Sequence, residues 1–216
     1  TLSQTDWKLI DRLLAATATP YINLHLEAHT QDYPEIAADT QDPRHSSLVY
    51  ENLLQDIHTV TSRYGAERVI AENIPYHGLD GDHLRPCIEP EVICRLLDET
   101  GIGLLLDISH ARITAHSLGF SDKEYLSQLP TWRIREMHIA GVHSMPGGEL
   151  QDHVSMLDDD WSLLAWVLER IQRKEWGQPW LLAFEYGGVG SVFAWRSDPS
   201  IIAEQVPRLY AMIHPV

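Results

Sequence analysis

Five short apolar runs constrain this chain more than anything else in it, because each carries a histidine or a carboxylate at or near its end. They are Tyr21-Ile22-Asn23-Leu24-His25, Val69-Ile70-Ala71-Glu72-Asn73, Leu104-Leu105-Leu106-Asp107, Met137-His138-Ile139-Ala140-Gly141 and Leu181-Leu182-Ala183-Phe184-Glu185. Nearly continuous apolar runs of this length predict strands buried on both faces, which means a parallel sheet. The segments between them have helical period. Leu48 to Arg63 gathers Leu53, Leu54, Ile57 and Val60 on one side, with Gly65 as its stop. Glu91 to Thr100 is entered through Pro90, and Asp158 to Arg173 has an acidic start. A first helix over about Thr5 to Ala16 precedes the first strand.

Strand and helix in alternation predict an α/β fold with crossover connections, here a single (β/α)-barrel domain over residues 1–216. A complete eight-stranded barrel takes about 250 residues. Five clear strands and a doubtful sixth therefore predict a barrel incomplete at its N-terminus, or strands that do not declare themselves.

Active sites of parallel α/β folds lie at the carboxyl ends of the strands. His25, Glu72, Asp107, His138 and Glu185 all fall there, and His29, His110, His143, Asp152 and His153 lie close by in sequence. Burying so many ionisable groups is costly unless they are paired or bound to metal. Imidazole and carboxylate without thiolate make a nitrogen/oxygen site suited to iron, manganese or zinc, and this many donors suit two or three ions. Asp107-Ile108-Ser109-His110 can direct two donors into one pocket. Asp152-His153 follows Pro146-Gly147-Gly148, which predicts a βα loop. Taken singly, Asp107 could be a helix cap and Glu185 a partner of Arg196. His45, His58, His77, His83, His116 and His214 occur in polar, terminal or ordinary helical contexts and are assigned no role. Asn73 is expected to orient its neighbours, Cys94 to pack in the core, and Cys87 to be a loop thiol. Trp161, Trp166 and Trp176 are expected to pack helices. No separate proton-transfer residue stands out.

Composition excludes several classes. The formal charge is −15, with 31 acidic against 16 basic residues, so binding to duplex DNA should be weak and non-specific. No apolar run approaches the ~18 residues of a membrane span. Two cysteines separated by six residues form no zinc knuckle or redox pair, which favours a reduced, cytoplasmic setting. Thr1-Leu2-Ser3-Gln4 shows no secretory signal.

The order Ala71-Glu72-Asn73, Gly103-Leu104-Leu105-Leu106-Asp107, Tyr125 to Pro130, and Arg135-Glu136-Met137-His138-Ile139-Ala140-Gly141-Val142-His143 resembles the multinuclear non-haem iron-dependent oxidative enzymes. Those are TIM barrels of the xylose-isomerase-like superfamily, many of which oxidise cysteine-containing peptides. The resemblance covers about Tyr21 to Gly188. It implies two or three irons at His25, Glu72, Asp107, His138, His153 and Glu185, and oxidation of a peptide or small-molecule substrate. Together with the residues above, the expected metal-binding set is His25, Glu72, Asp107, His110, His138, Asp152, His153 and Glu185. Two departures stand out. The iron family commonly has asparagine where this chain has His110, a histidine similar to that of endonuclease IV, a related three-zinc barrel. The family's first strands, which often supply another histidine, are not found. The alternatives are a zinc or manganese sugar isomerase or epimerase, an endonuclease IV-like hydrolase, and an inactive barrel serving as a binding scaffold. A partner protein or a homo-oligomer is left open.

Overall fold

The computed structural model describes Leu2 and residues 5–214; the rest of the stretch read for a secretory signal, Thr1, Ser3 and Gln4, lies outside the described residues. The chain is an α/β protein built on a parallel sheet of five strands. These are β1 (Ile22–His25), β2 (Val69–Glu72), β3 (Gly103–Asp107), β4 (Ile134–Ile139) and β7 (Leu181–Phe184), in the order β1-β2-β3-β4-β7. The order follows the chain without reversal, as in the wall of a barrel, and not as in a doubly wound sheet with a switch point. Among the described residues, β1 and β7 are not paired with each other.

Every residue of β2 and β3 is buried, which is why their sequences are continuous apolar runs. The edge strands differ. β1 alternates half-buried with exposed positions, and Leu181 of β7 is exposed.

Helices α1 (Trp7–Thr17), α2 (Pro43–Tyr64), α3 (Pro90–Thr100), α4 (Ile108–Leu118), α5 (Asp122–Gln128), α6 (Asp158–Gln172) and α7 (Pro199–Ile213) complete the frame. Asp42 caps α2 by accepting from the Arg44 N–H at 2.9 Å, and Val49, Leu53, Ile57 and Val60 form its buried stripe. Gly101 ends α3 in the left-handed region at φ +74°, open to glycine without strain. Trp166 and Trp176 pack edge to face, 5.3 Å between centroids. Cys87, expected to be a loop thiol, lies in a short 3-10 turn of the β2–α3 connection and is fully buried there, its thiol donating to the Leu84 carbonyl. None of the described helices is long and apolar enough to cross a membrane.

One connection departs from the helical crossovers. After β4 the chain forms an antiparallel hairpin, β5 (Gly141–Ser144) and β6 (Leu150–Val154), before α6 begins. Asp152 and His153 lie on β6, so their expected place on a βα loop is corrected: Gly147 and Gly148 only turn the hairpin. At α7, Gln205 accepts from the Met156 N–H at 2.8 Å and donates to the Met156 carbonyl at 3.0 Å, fixing the helix against the exit of the hairpin.

Candidate metal centre

The parallel register sets the site. His25 lies opposite Glu72 across β1 and β2, and Asp107 lies opposite His138 across β3 and β4. Beyond β7, the Glu185 N–H donates to the Ile139 carbonyl at 2.9 Å and extends the ladder by one step. All five residues therefore reach the carboxyl-terminal rim. His25, Glu72, His138 and Glu185 border a cleft of about 700 Å³ shared with His110, Asp152 and His153, and Asp107 is buried beside them.

Donor atoms of Glu72, Asp107, His138 and Glu185 lie within 4.8 Å of one another, and those of His110, Asp152 and His153 form a second such group. His25 belongs to neither group but stands beside the first, its Nε2 3.2 Å from Glu72 Oε2. Glu72 is the hub: buried, it meets His25 and Asn23 with one oxygen, and His110 at 3.5 Å and His138 at 3.9 Å with the other. His138 Nδ1 lies 3.1 Å from Glu185, and its Nε2 3.2 Å from Glu136. Glu185 thus pairs with His138. Arg196 instead turns to the Asp152 carbonyl at 3.4 Å.

Local structure explains these positions. Helix α4 starts at the residue after β3, with Asp107 as its cap accepting from the His110 N–H at 2.7 Å. The cap role and membership of the carboxylate group therefore coincide in one side chain. Being in the first turn, His110 is carried back over the sheet. Its Nδ1–H donates to the Asn73 carbonyl at 2.9 Å, which leaves Nε2 facing Asp152 at 3.3 Å. Asn73 holds the end of β3 from both sides, donating to the Asp107 carbonyl and accepting from its N–H. Ser109 likewise joins α4 to the end of β4, donating to the Ala140 carbonyl and accepting from its N–H. On a regular strand, Asp152 and His153 would face opposite sides. An irregularity in the β5–β6 register and a left-handed φ of +56° at His153 turn both toward the cleft.

The charges call for cations at this rim. Hydrogen bonding to Glu27 and Glu72 lifts the His25 pKa to about 10. Burial pulls His110 and His138 down, but Asp107, Asp152 and Glu72 around the first and Glu185 and Glu72 around the second outweigh it, and both stand at about 9. Asp107 is pushed up by burial and by the nearby Glu72 and Glu185. The buried His138 Nδ1 stands within ion-pair distance of Glu185 but makes no hydrogen bond of good geometry to it or to any other group. Donors of imidazole and carboxylate type, a buried ring nitrogen left without a hydrogen bond and crowded carboxylates fit a transition-metal centre.

The described residues include a third group that the sequence reading overlooked in part. Glu27, His29 and His83 also bring donor atoms within 4.8 Å. His83, assigned no role from sequence, is half-buried on the cleft wall, and the signal for it is pairing across loops that no local pattern reveals. His143, by contrast, points away, its ring 2.8 Å from the Ser155 carbonyl.

Residues 43–177 match the model of a family described as RiPP precursor modification enzyme MbnB/TglH/ChrH. The chain belongs to the MbnB/TglH/ChrH family. The matched span holds Glu72, Asp107, His110, His138, Asp152 and His153; His25 and Glu185 fall on either side of it. Among individual relatives, a UPF0276 protein of Caulobacter vibrioides is 34% identical over 109 residues, covering 48% of this chain and 38% of that protein. One of Acaryochloris marina is 37% identical over 87 residues, covering 40% and 28%. The chain thus spans well under half the length of these curated relatives. A solved structure described as "The crystal structure of AsfvAP:AG" superposes on 94% of this chain and 65% of its own, with a TM-score of 0.47 and 16% identity.

Proposed function

We propose that this MbnB/TglH/ChrH-family chain, acting as one domain, carries a multinuclear iron centre that oxidises a peptide substrate in the cytoplasm. The observation that carries the reading is the convergence of Glu72, Asp107, His138 and Glu185 from four adjacent strands, inside a chain whose family modifies peptide precursors. These four would hold one ion. His110, Asp152 and His153 would hold a second, and His25 would add its ring from beside Glu72. Iron bound there would supply redox chemistry with dioxygen at positions left open by the protein donors.

The chain's own residues do the rest. Asn73 and Ser109 fix the ends of β3 and β4, so the carboxylate and imidazole keep their spacing without an ordering cost at the moment of binding. Val192, Phe193 and Trp195 form an apolar lip over the cleft, partly exposed and suited to a peptide side chain. Arg196 lines the cleft and lies over the Phe193 ring, 4.5 Å from its centroid, which keeps a positive charge beside this lip for a peptide carbonyl or carboxylate.

The test is metal analysis of anaerobically purified protein, followed by oxygen uptake with cysteine-containing peptides. Two or three irons per chain and peptide-dependent uptake are expected. Retention of zinc or manganese alone, with no uptake, would move the centre to the hydrolase or isomerase class, and no metal after reconstitution would leave a scaffold.

A further inference from the structure

We propose that Glu27, His29 and His83 form a separate divalent-metal site that staples the loop after β1 to the loop after β2. The two loops already meet as backbone. His29 and His83 form an antiparallel bridge, the Thr30 N–H donates to the Asp82 carbonyl at 2.7 Å, and the Leu84 N–H donates to the Ala28 carbonyl at 2.8 Å. This pairing brings the two rings to 4.8 Å between centroids.

Both rings are oriented alike. The Asp82 carboxylate lies behind them, 3.2 Å from His83 Nδ1 and 3.6 Å from His29 Nδ1. Glu27 lies in front, 3.5 Å from His29 Nε2 and 3.9 Å from His83 Nε2. A carboxylate behind the ring of His83, with both Nε2 atoms turned to a common point, resembles the way metal-binding histidines are oriented. The front distances are too long for good hydrogen bonds. They suit donors around one ion: bonds of about 2.1 Å at a tetrahedral angle put the donors about 3.4 Å apart. His83 Nε2 is buried and has no hydrogen-bond partner, an atom aimed at this point with nothing to meet.

Two imidazoles and one carboxylate, with no thiolate, take a borderline divalent ion of the zinc class. The three donors belong to neither of the inner groups, so the proposal stands whether or not the inner centre holds iron. The site would brace two segments that wall the cleft, since Glu27 and His83 both line it.

Chelator-stripped protein titrated with Zn(II) tests this. In wild type, the ring nitrogens of His29 and His83 should shift together in imidazole ¹⁵N spectra. His29→Asn, His83→Asn and Glu27→Gln should each bind one ion fewer than wild type, with unchanged circular dichroism. Glu72→Gln should keep the His29 and His83 response while losing ions of the inner centre. Unmoved His29 and His83 signals in wild type, or full stoichiometry in the His29, His83 and Glu27 variants, would overturn the site. The wild-type spectra decide the matter even if one of the variants does not fold.

Discussion

His25 and Glu72 face each other across the first two strands with Nε2 and Oε2 3.2 Å apart, and the same carboxylate reaches toward His110 and His138 with its other oxygen. Among the described residues, no other carboxylate lies within ion-pair distance of all three imidazoles. Glu72→Gln keeps the size and removes the charge, so it should cost at least one ion per chain in reconstituted protein. Elemental analysis beside circular dichroism checks this, and a full metal complement would refute the hub role.

Asn73 bonds the backbone of Asp107 in both directions and lends its own carbonyl to His110. Asn73→Ala leaves the buried Asp107 N–H without that acceptor. The expected stability loss is about 2 kcal/mol by denaturant titration. Metal affinity should fall about tenfold or more, as when a residue behind a metal ligand is removed. Loss of stability without loss of affinity would limit Asn73 to a structural role.

Gly141 opens the hairpin at a point where no side chain fits. A Cβ there would stand 1.9 Å from the Ser155 carbonyl oxygen. Gly141→Ala must displace the exit of β6, and with it Asp152 and His153. The expected result is a loss of about 2 kcal/mol and weakened binding of the ion assigned to His110, Asp152 and His153. The four-residue group should keep its ion, and anaerobic titration distinguishes the two.

His153 holds a left-handed backbone that favours glycine. His153→Gly should therefore be more stable than His153→Ala by about 1 kcal/mol, although both lack the ring. Equal melting temperatures for the two variants would show that the strain is relieved elsewhere.

Much of the frame was legible because burial on both faces leaves a simple trace. β2 and β3 are buried at every position, and their last residues, Glu72 and Asp107, stand out as polar ends of apolar runs. The amphipathic stripes of α2, α3 and α6 were equally plain, whereas α4, capped by Asp107 itself, was hidden behind the metal-ligand reading of Asp107 and His110. The hairpin was not, since a five-residue strand with mixed burial, entered from two glycines, has the composition of a loop. α7 carries Pro207 inside the helix, which breaks the pattern used to find helices. His83 gains its surroundings only from a bridge to His29, a contact between loops far apart in sequence.

The double duty of Asp107 gives the centre a built-in reporter. The oxygen that accepts from the His110 amide, Oδ1, belongs to the same carboxylate that joins Glu72, His138 and Glu185. A cation drawing on that carboxylate competes with the first turn of α4 for electron density. Occupancy should then be readable as a chemical-shift change at one backbone amide, that of His110, in a molecule whose overall shape does not change.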